Sequence, residues 1–173
     1  DSLDKINREG EPDAIINSWW DFGHWFKYIG DRAVTFDGAS QGTPMAHWIG
    51  HSLLTNDEDK AIGILRMLDC GSNTAFDILD EEIQDIPRSV YMLHDIVKLN
   101  KKDEEKYLQK HIDKEKAKEV LKYTHCNAPE NYYITSDDMI GKSGVWAHFG
   151  SWDFNRALIY NTIKKQNIGS NVE

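Results

Sequence analysis

The chain has 173 residues, 40% of them hydrophobic and 28% charged, with a formal net charge of −9. That is one domain's worth of material, with enough apolar side chains for a core and too many for a disordered chain. The acidic balance excludes nucleic acid as a partner, because binding a polyanion needs clustered Lys and Arg to displace counterions. No run approaches the roughly 18 to 20 apolar residues of a membrane span, and the polar start Asp1-Ser2-Leu3-Asp4-Lys5 is no signal peptide. Lacking an initiator Met, the chain reads as a piece of a longer polypeptide.

In chain order, residues 1–12 are polar, carry Gly10 and Pro12, and read as a leader into the domain. Asp13-Ala14-Ile15-Ile16-Asn17-Ser18 has strand length and delivers the chain to Trp19 and Trp20; Ala33-Val34-Thr35-Phe36 is a second short strand closed by the turn pair Asp37-Gly38. The small polar stretch from Gly38 to Thr43 reads as loop. Thr55-Asn56-Asp57-Glu58 has the form of a capping box, opening a helix with Ile62, Leu65, Met67 and Leu68 that stops near Gly71. A short helix follows over Thr74 to Leu79. Pro87 to Leu99 is amphipathic, with Val90, Met92, Leu93, Ile96 and Val97 as its buried stripe.

The basic stretch from Lys98 to Lys118 is interleaved with Asp103, Glu104, Glu105, Asp113 and Glu115, as a solvated, salt-bridged helical face would be. Lys114 to Tyr123 turns Val120 and Leu121 inward. Asn131-Tyr132-Tyr133-Ile134 reads as strand; Ser136 caps a helix with Asp137 and Asp138 in its first turn, and a last helix runs from about Asp153 to Lys165. The expected fold is α+β and predominantly α-helical: a single domain over residues 1–173, with a helical core and a small sheet of two or three short strands. Cys70 and Cys126 are too few for a disulfide scaffold, and the sequence leaves open one bond or two buried thiols.

The densest chemistry lies in Trp19-Trp20-Asp21-Phe22-Gly23-His24-Trp25. Each indole offers one N–H donor on a large apolar body, and the carboxylate only accepts. Two indoles and Asp21 held in a turn by Gly23 suit a hydroxyl, which both donates and accepts. On composition alone, a core tryptophan cluster with Asp21 capping a helix is the simpler reading. Adjacent strand residues point to opposite faces, so only a turn lets Trp19 and Trp20 serve one site.

Trp19-Trp20-Asp21-Phe22-Gly23 resembles the Trp-Trp-Asp-Tyr-Gly signature of oligosaccharyltransferase catalytic subunits, the membrane enzymes of Asn-linked glycosylation. The likeness extends to Asp13–Ser18 before it and to His24–Gly38 after it, with Phe22 in place of the usual Tyr. In that family the two tryptophans and the aspartate hold the Ser or Thr two residues beyond the acceptor Asn, a role the resemblance gives to Trp19, Trp20 and Asp21. A second family motif on a helix has two forms, Asp-x-x-Lys-x-x-x-Met/Ile and Met-x-x-Ile-x-x-x-Ile/Val/Trp. Met139-x-x-Lys142-x-x-x-Trp146 is a hybrid of them, with the three residues at i, i+3 and i+7 expected on one helical face. Lys142 either flanks the pocket with its alkyl stem or is exposed. Gly141 and Gly144, each costing roughly 1 kcal/mol against Ala in a helix, signal close backbone packing or a deliberate kink. The Asn-, Thr- and Trp-rich motif of the eukaryotic form is absent from Asp37–Gly42, so the resemblance is to the archaeal form, with the bacterial one second.

Other chemistry is thin. His47 and His51 have the i, i+4 spacing of a helical metal pair, but no third ligand is evident and structural or surface histidines are the better reading. No nucleophile turn or phosphate loop occurs. What the resemblance implies is therefore an acceptor-recognition domain with no catalytic residue of its own, inactive alone. It would belong to a dolichyl-phosphooligosaccharide–protein glycotransferase of the cell membrane and sit on the extracytoplasmic side. The divalent metal (Mg or Mn) and the lipid-linked oligosaccharide would lie in the transmembrane portion, and the partner here would be a polypeptide with Asn-x-Ser/Thr. The rival is a non-enzymatic module that binds sugars or peptides with the aromatic cluster. About a dozen membrane spans encoded upstream would favour the first reading.

Overall fold

The computed structural model describes residues 2–166. Ten helices and three short strands follow one another in these residues: α1 (Ser2–Glu9), β1 (Ile15–Asn17), a 3-10 turn (Trp20–Phe22), α2 (Gly23–Gly30), β2 (Ala33–Val34), α3 (Met45–Leu54), α4 (Glu58–Gly71), α5 (Thr74–Ile83), α6 (Ile86–Ile96), α7 (Lys101–Leu108), α8 (Lys114–Thr124), β3 (Asn131–Tyr133), a second 3-10 segment (Asp137–Lys142), α9 (Ser143–Gly150) and α10 (Phe154–Lys165). This is the expected α+β, mainly helical architecture.

The sheet has the order β2-β1-β3, and both pairings are parallel, with Ile15 opposite Ala33 on one side and Asn131 on the other. Parallel neighbours need long crossovers, and here the crossover from β1 to β3 contains α3 to α8. The main core gathers Trp48, Ile49, Ile64, Met67, Leu79, Leu93, Ile96 and Leu108 from these helices, with Trp19 and Phe36 from the segments after β1 and β2; a smaller cluster of Ile6, Ile16 and Phe26 sits where α1 and α2 meet the sheet. The stripe expected on α6 is buried throughout, as are Val120 and Leu121 on α8.

Several local expectations differ from the structure. The segment expected to be a simple leader carries the helix α1 (Ser2–Glu9): Ile6 buries, and Arg32 holds the segment through the carbonyls of Asn7 (3.1 Å) and Gly10 (2.6 Å). The cap of α4 is Asp57, whose carboxylate accepts from the Lys60 N–H at 3.1 Å, while Thr55 Oγ1 accepts from the Asp57 N–H at 3.1 Å in a preceding turn. A carboxylate at the positive end of a helix outcompetes a hydroxyl two residues earlier. Ile62 faces solvent, and Ile64 takes the inward position. The Lys98–Lys118 stretch is two helices, and although most of its charges are exposed, Glu104 is fully buried. Cys70 and Cys126 form a disulfide, with Cα atoms 5.7 Å apart, that joins the end of α4 to the segment after α8.

Candidate functional site

The site starts at the carboxyl end of β1. Asn17 and Ser18 are buried and pinned: Asn17 Nδ2 donates to Asp69 Oδ1 at 2.9 Å, Thr35 Oγ1 donates to Asn17 Oδ1 at 2.5 Å, and Ser18 Oγ donates to Ile134 O at 2.8 Å. Burial raises the Asp69 carboxyl above its ordinary value, against the hydrogen bonds from Asn17, Asn131 and Thr35. Trp19 follows in extended conformation, and the chain then tightens into the 3-10 turn over Trp20–Phe22. Gly23 is required where that turn enters α2: a Cβ there would lie 2.5 Å from Asp37 Cβ and 2.7 Å from Phe36 O.

The turn separates the two tryptophans. Trp19 is 2% exposed and packs edge-on against Phe36, centroids 5.3 Å apart, and obliquely against Phe149 at 6.4 Å. Trp20 is only partly buried and covers the same core from outside. Asp21 reaches Lys142 Nζ through Oδ1 at 2.6 Å, whereas its Oδ2 is buried and meets no donor. Lys142 also pairs with Asp138 at 2.6 Å, and its ammonium lies 6.0 Å from the Phe22 ring centroid. Hydrogen bonds to Asp138 and Asp21 push the Lys142 ammonium up, and Lys142 with Ser136 holds the Asp138 carboxyl down.

Met139, Lys142 and Trp146 do not share one continuous helical face. Met139 and Lys142 lie on the second 3-10 segment and Trp146 on α9, so the periodicity changes between them. Met139 turns into the main core, its Sδ accepting from the Ser136 N–H at 3.4 Å, while Lys142 turns out to Asp21. Trp146 packs against the same cluster as Trp20, and its Nε1–H is buried without an acceptor. A Cβ on Gly141 or Gly144 would meet nothing within 4 Å. Close packing is thus not their reason, and the 3-10 to α junction lies between them. Of the predicted residues, then, Asp21 and Lys142 touch directly, and Trp19, Trp20, Met139 and Trp146 line one apolar cluster. Asp138 was the residue the spacing argument passed over; its place four residues before Lys142 on a helical segment was the available signal.

His47 and His51 turn towards other histidines rather than towards the residues of the Asp21 turn. They meet His94 of α6, with His47 Nε2 and His94 Nε2 2.9 Å apart. Among the described residues, no group of three or more His, Cys, Asp or Glu side chains is placed to hold a metal ion, and no helix is long and apolar enough to cross a membrane.

Residues 12–156 match the model of the STT3/PglB/AglB core domain. The chain belongs to that family. It is 37% identical over 163 residues to the dolichyl-phosphooligosaccharide-protein glycotransferase of Methanococcus voltae, covering 90% of this chain and 18% of that protein. The protein of the same name from Methanocaldococcus jannaschii is 34% identical over 162 residues, again 90% of this chain and 17% of the relative. The chain thus spans less than a fifth of the length of these relatives. No solved structure matches it. The matched span includes the helices between residues 80 and 130, which carry neither of the two motifs.

Proposed function

We propose that this core domain reads the acceptor in an oligosaccharyltransferase that moves a lipid-linked oligosaccharide to Asn in Asn-x-Ser/Thr. The observation that carries the reading is the Asp21 carboxylate. One oxygen is fixed by Lys142 and the other is buried with no donor. A buried acceptor without a partner costs about 1–3 kcal/mol, and an incoming hydroxyl would recover it. Trp146 Nε1–H, a buried donor without an acceptor on the neighbouring helix, adds the complementary half of the inventory. Trp20 and Trp146 border the same apolar cluster and supply a surface for a threonine methyl, with Met139 and Trp19 packed beneath.

The rest of the reaction lies with the longer polypeptide, whose activity and membrane association are inferred from the relatives' names. The divalent metal and the transfer step are assigned to the longer polypeptide. The Cys70–Cys126 disulfide supports an extracytoplasmic position, because disulfides persist in oxidising compartments. The test is glycosylation of Asn-x-Thr and Asn-x-Ala peptides by the full-length gene product. Strong preference for Asn-x-Thr is expected, since a site built for a hydroxyl rejects its absence by roughly 10⁴-fold; equal modification of both would overturn the assignment of Asp21.

A further inference from the structure

The acceptor side chains sit on two supports, the end of β1 and the helix α9, and α9 has an unusual fastening. Its last carbonyls point at α3. His47 Nδ1 is 2.9 Å from Phe149 O and His51 Nδ1 is 2.9 Å from Gly150 O. A carbonyl can only accept, so both imidazoles carry their proton on Nδ1. His47 Nε2 is then a bare lone pair facing His94 Nε2, which must donate to it, and His94 Nδ1 is left as the buried nitrogen without a partner. The final carbonyls of a helix have no intrahelical donor and need one from elsewhere. Phe149 O also accepts the Trp152 N–H at 3.3 Å, whereas Gly150 O meets no backbone donor among the described residues. Below these bonds the two helices touch backbone to backbone. A Cβ on Gly150 would lie 2.4 Å from the Gly50 carbonyl carbon, and one on Gly50 would lie 3.0 Å from Trp146 O.

We infer that His47 and His51 are positioning residues for the acceptor site: they cap the end of α9 and so fix where Trp146 stands relative to the Asp21 turn. The inference rests on the acceptor-binding reading. Neither histidine reaches Asp21 or Lys142; they act only through the helix. Phe149, whose carbonyl His47 holds, also packs its ring on Trp19, so the clasp steadies both sides of the cluster.

The experiment uses the full-length gene product with Asn-x-Thr and Asn-x-Ala peptides at a saturating lipid-linked donor. His51→Leu keeps a similar volume but removes the donor to Gly150 O. It should raise the acceptor KM about tenfold with kcat within about twofold, the signature of lost binding geometry rather than lost chemistry, and should narrow the Thr-over-Ala preference. His51→Asn places an amide N–H near the position of Nδ1 and should restore KM to within about threefold of the parent. If His51→Leu does not accumulate, His51→Ser replaces it, being too short to reach Gly150 O. A parent-like KM in the variant lacking the donor, or an Asn variant no better than it, overturns the inference. A parent enzyme that modifies Asn-x-Thr and Asn-x-Ala equally would instead remove the acceptor reading itself.

Discussion

Two carboxylates, Asp21 and Glu104, sit in the same fold and are treated in opposite ways. Glu104, on α7, is fully buried and fully answered: Thr124 Oγ1 donates to one oxygen, and His125 Nε2 lies 2.9 Å from the other. Behind them Arg66 closes the network through the carbonyls of Thr124 (2.5 Å) and Val97 (3.0 Å). Asp21 has one oxygen fixed by Lys142 and one left buried without a donor. A sealed network is what a structural carboxylate needs in low dielectric. An open lone pair on Asp21 and an unanswered indole N–H on Trp146 serve no stabilising purpose, and sites for ligands are where such costs persist.

The contrast gives the largest expected effects. Glu104→Ala strands the Thr124 hydroxyl and the His125 nitrogen in a buried hole, and should destabilise the domain by about 3–5 kcal/mol in chemical denaturation. Asp21→Ala should leave the denaturation midpoint unchanged or raised while lowering kcat/KM for Asn-x-Thr by about 10²- to 10³-fold, the loss of roughly 3–4 kcal/mol of interaction. A destabilised Asp21→Ala with intact activity would reverse the assignment of the two carboxylates.

The disulfide comes next. It ties the sealed side to the sheet: Cys126 follows His125, and Cys70 follows Asp69, which holds Asn17 and Asn131 across two strands. With partners 56 residues apart, the chain-entropy relation gives about 4 kcal/mol for the closed loop. Reduction, or Cys70→Ser with Cys126→Ser, should lower stability by about that much and loosen the β1 end. A loss confined to α4 and α8 in hydrogen exchange, with Asn17 unaffected, would show that the two regions are not coupled through Asp69.

The pH response separates the regions further. Burial pushes Glu104 up to about 7, and burial with the nearby Arg66 and Lys101 charges pushes His125 down to about 4. The pair is therefore neutral and shares one proton from about pH 4.5 to 6.5. An unfolded carboxylate and imidazolium also hold one proton there, so this pair adds almost no pH slope. His47 and His94 do. Burial is the main cause for both; the neighbouring histidines and Lys60 add to it, and the two fall to about 4 and about 2. Their folded values lie below the unfolded one, so their stability is complete above roughly pH 6.5 and declines as pH falls toward 4. At pH 5 each should have lost about 2 kcal/mol relative to pH 7.5, and His51, depressed in the same direction, adds to it. Denaturation at the two pH values measures the difference; His94→Asn should flatten it, and a slope unchanged in that variant would move the origin elsewhere.

How much of this was readable in advance follows the physics of each signal. The amphipathic period of α6 and the extent of α10 were legible, because both are set by residues within a few turns of each other. The Trp-Trp-Asp turn was legible as a candidate site only through its resemblance; its composition fits a core cluster as well, and Trp19 is indeed core. Helix α1 was not legible, because what holds it comes from elsewhere in the chain: Arg32 at its end, and the cluster on Ile16 and Phe26 that receives Leu3 and Ile6. Nor was Glu104, whose neighbours in sequence are all solvated charges and whose partners arrive from α8. The fastening of α9 needed His94 and two carbonyls remote in sequence, and no local pattern encodes such a meeting.

The smallest effect sharpens the comparison most. Lys142 binds both Asp21 and Asp138, and is the strap between the signature turn and the second 3-10 segment. Exposed ion pairs add little to stability, so Lys142→Met should leave the denaturation curve almost where it was. It should nonetheless free Asp21 to rotate and lose the orientation of Oδ2, raising the acceptor KM about three- to tenfold with little change in kcat. Lys142→Arg keeps the charge but replaces a compact ammonium with a rigid planar fork of different reach, and should restore the KM only in part. Asp138→Asn keeps an acceptor for Lys142 and should give a weaker form of the same shift. If Lys142→Met instead unfolded the domain without altering acceptor KM, the strap would be a structural bond like those of Glu104, and the openness of Asp21 would lose its functional meaning.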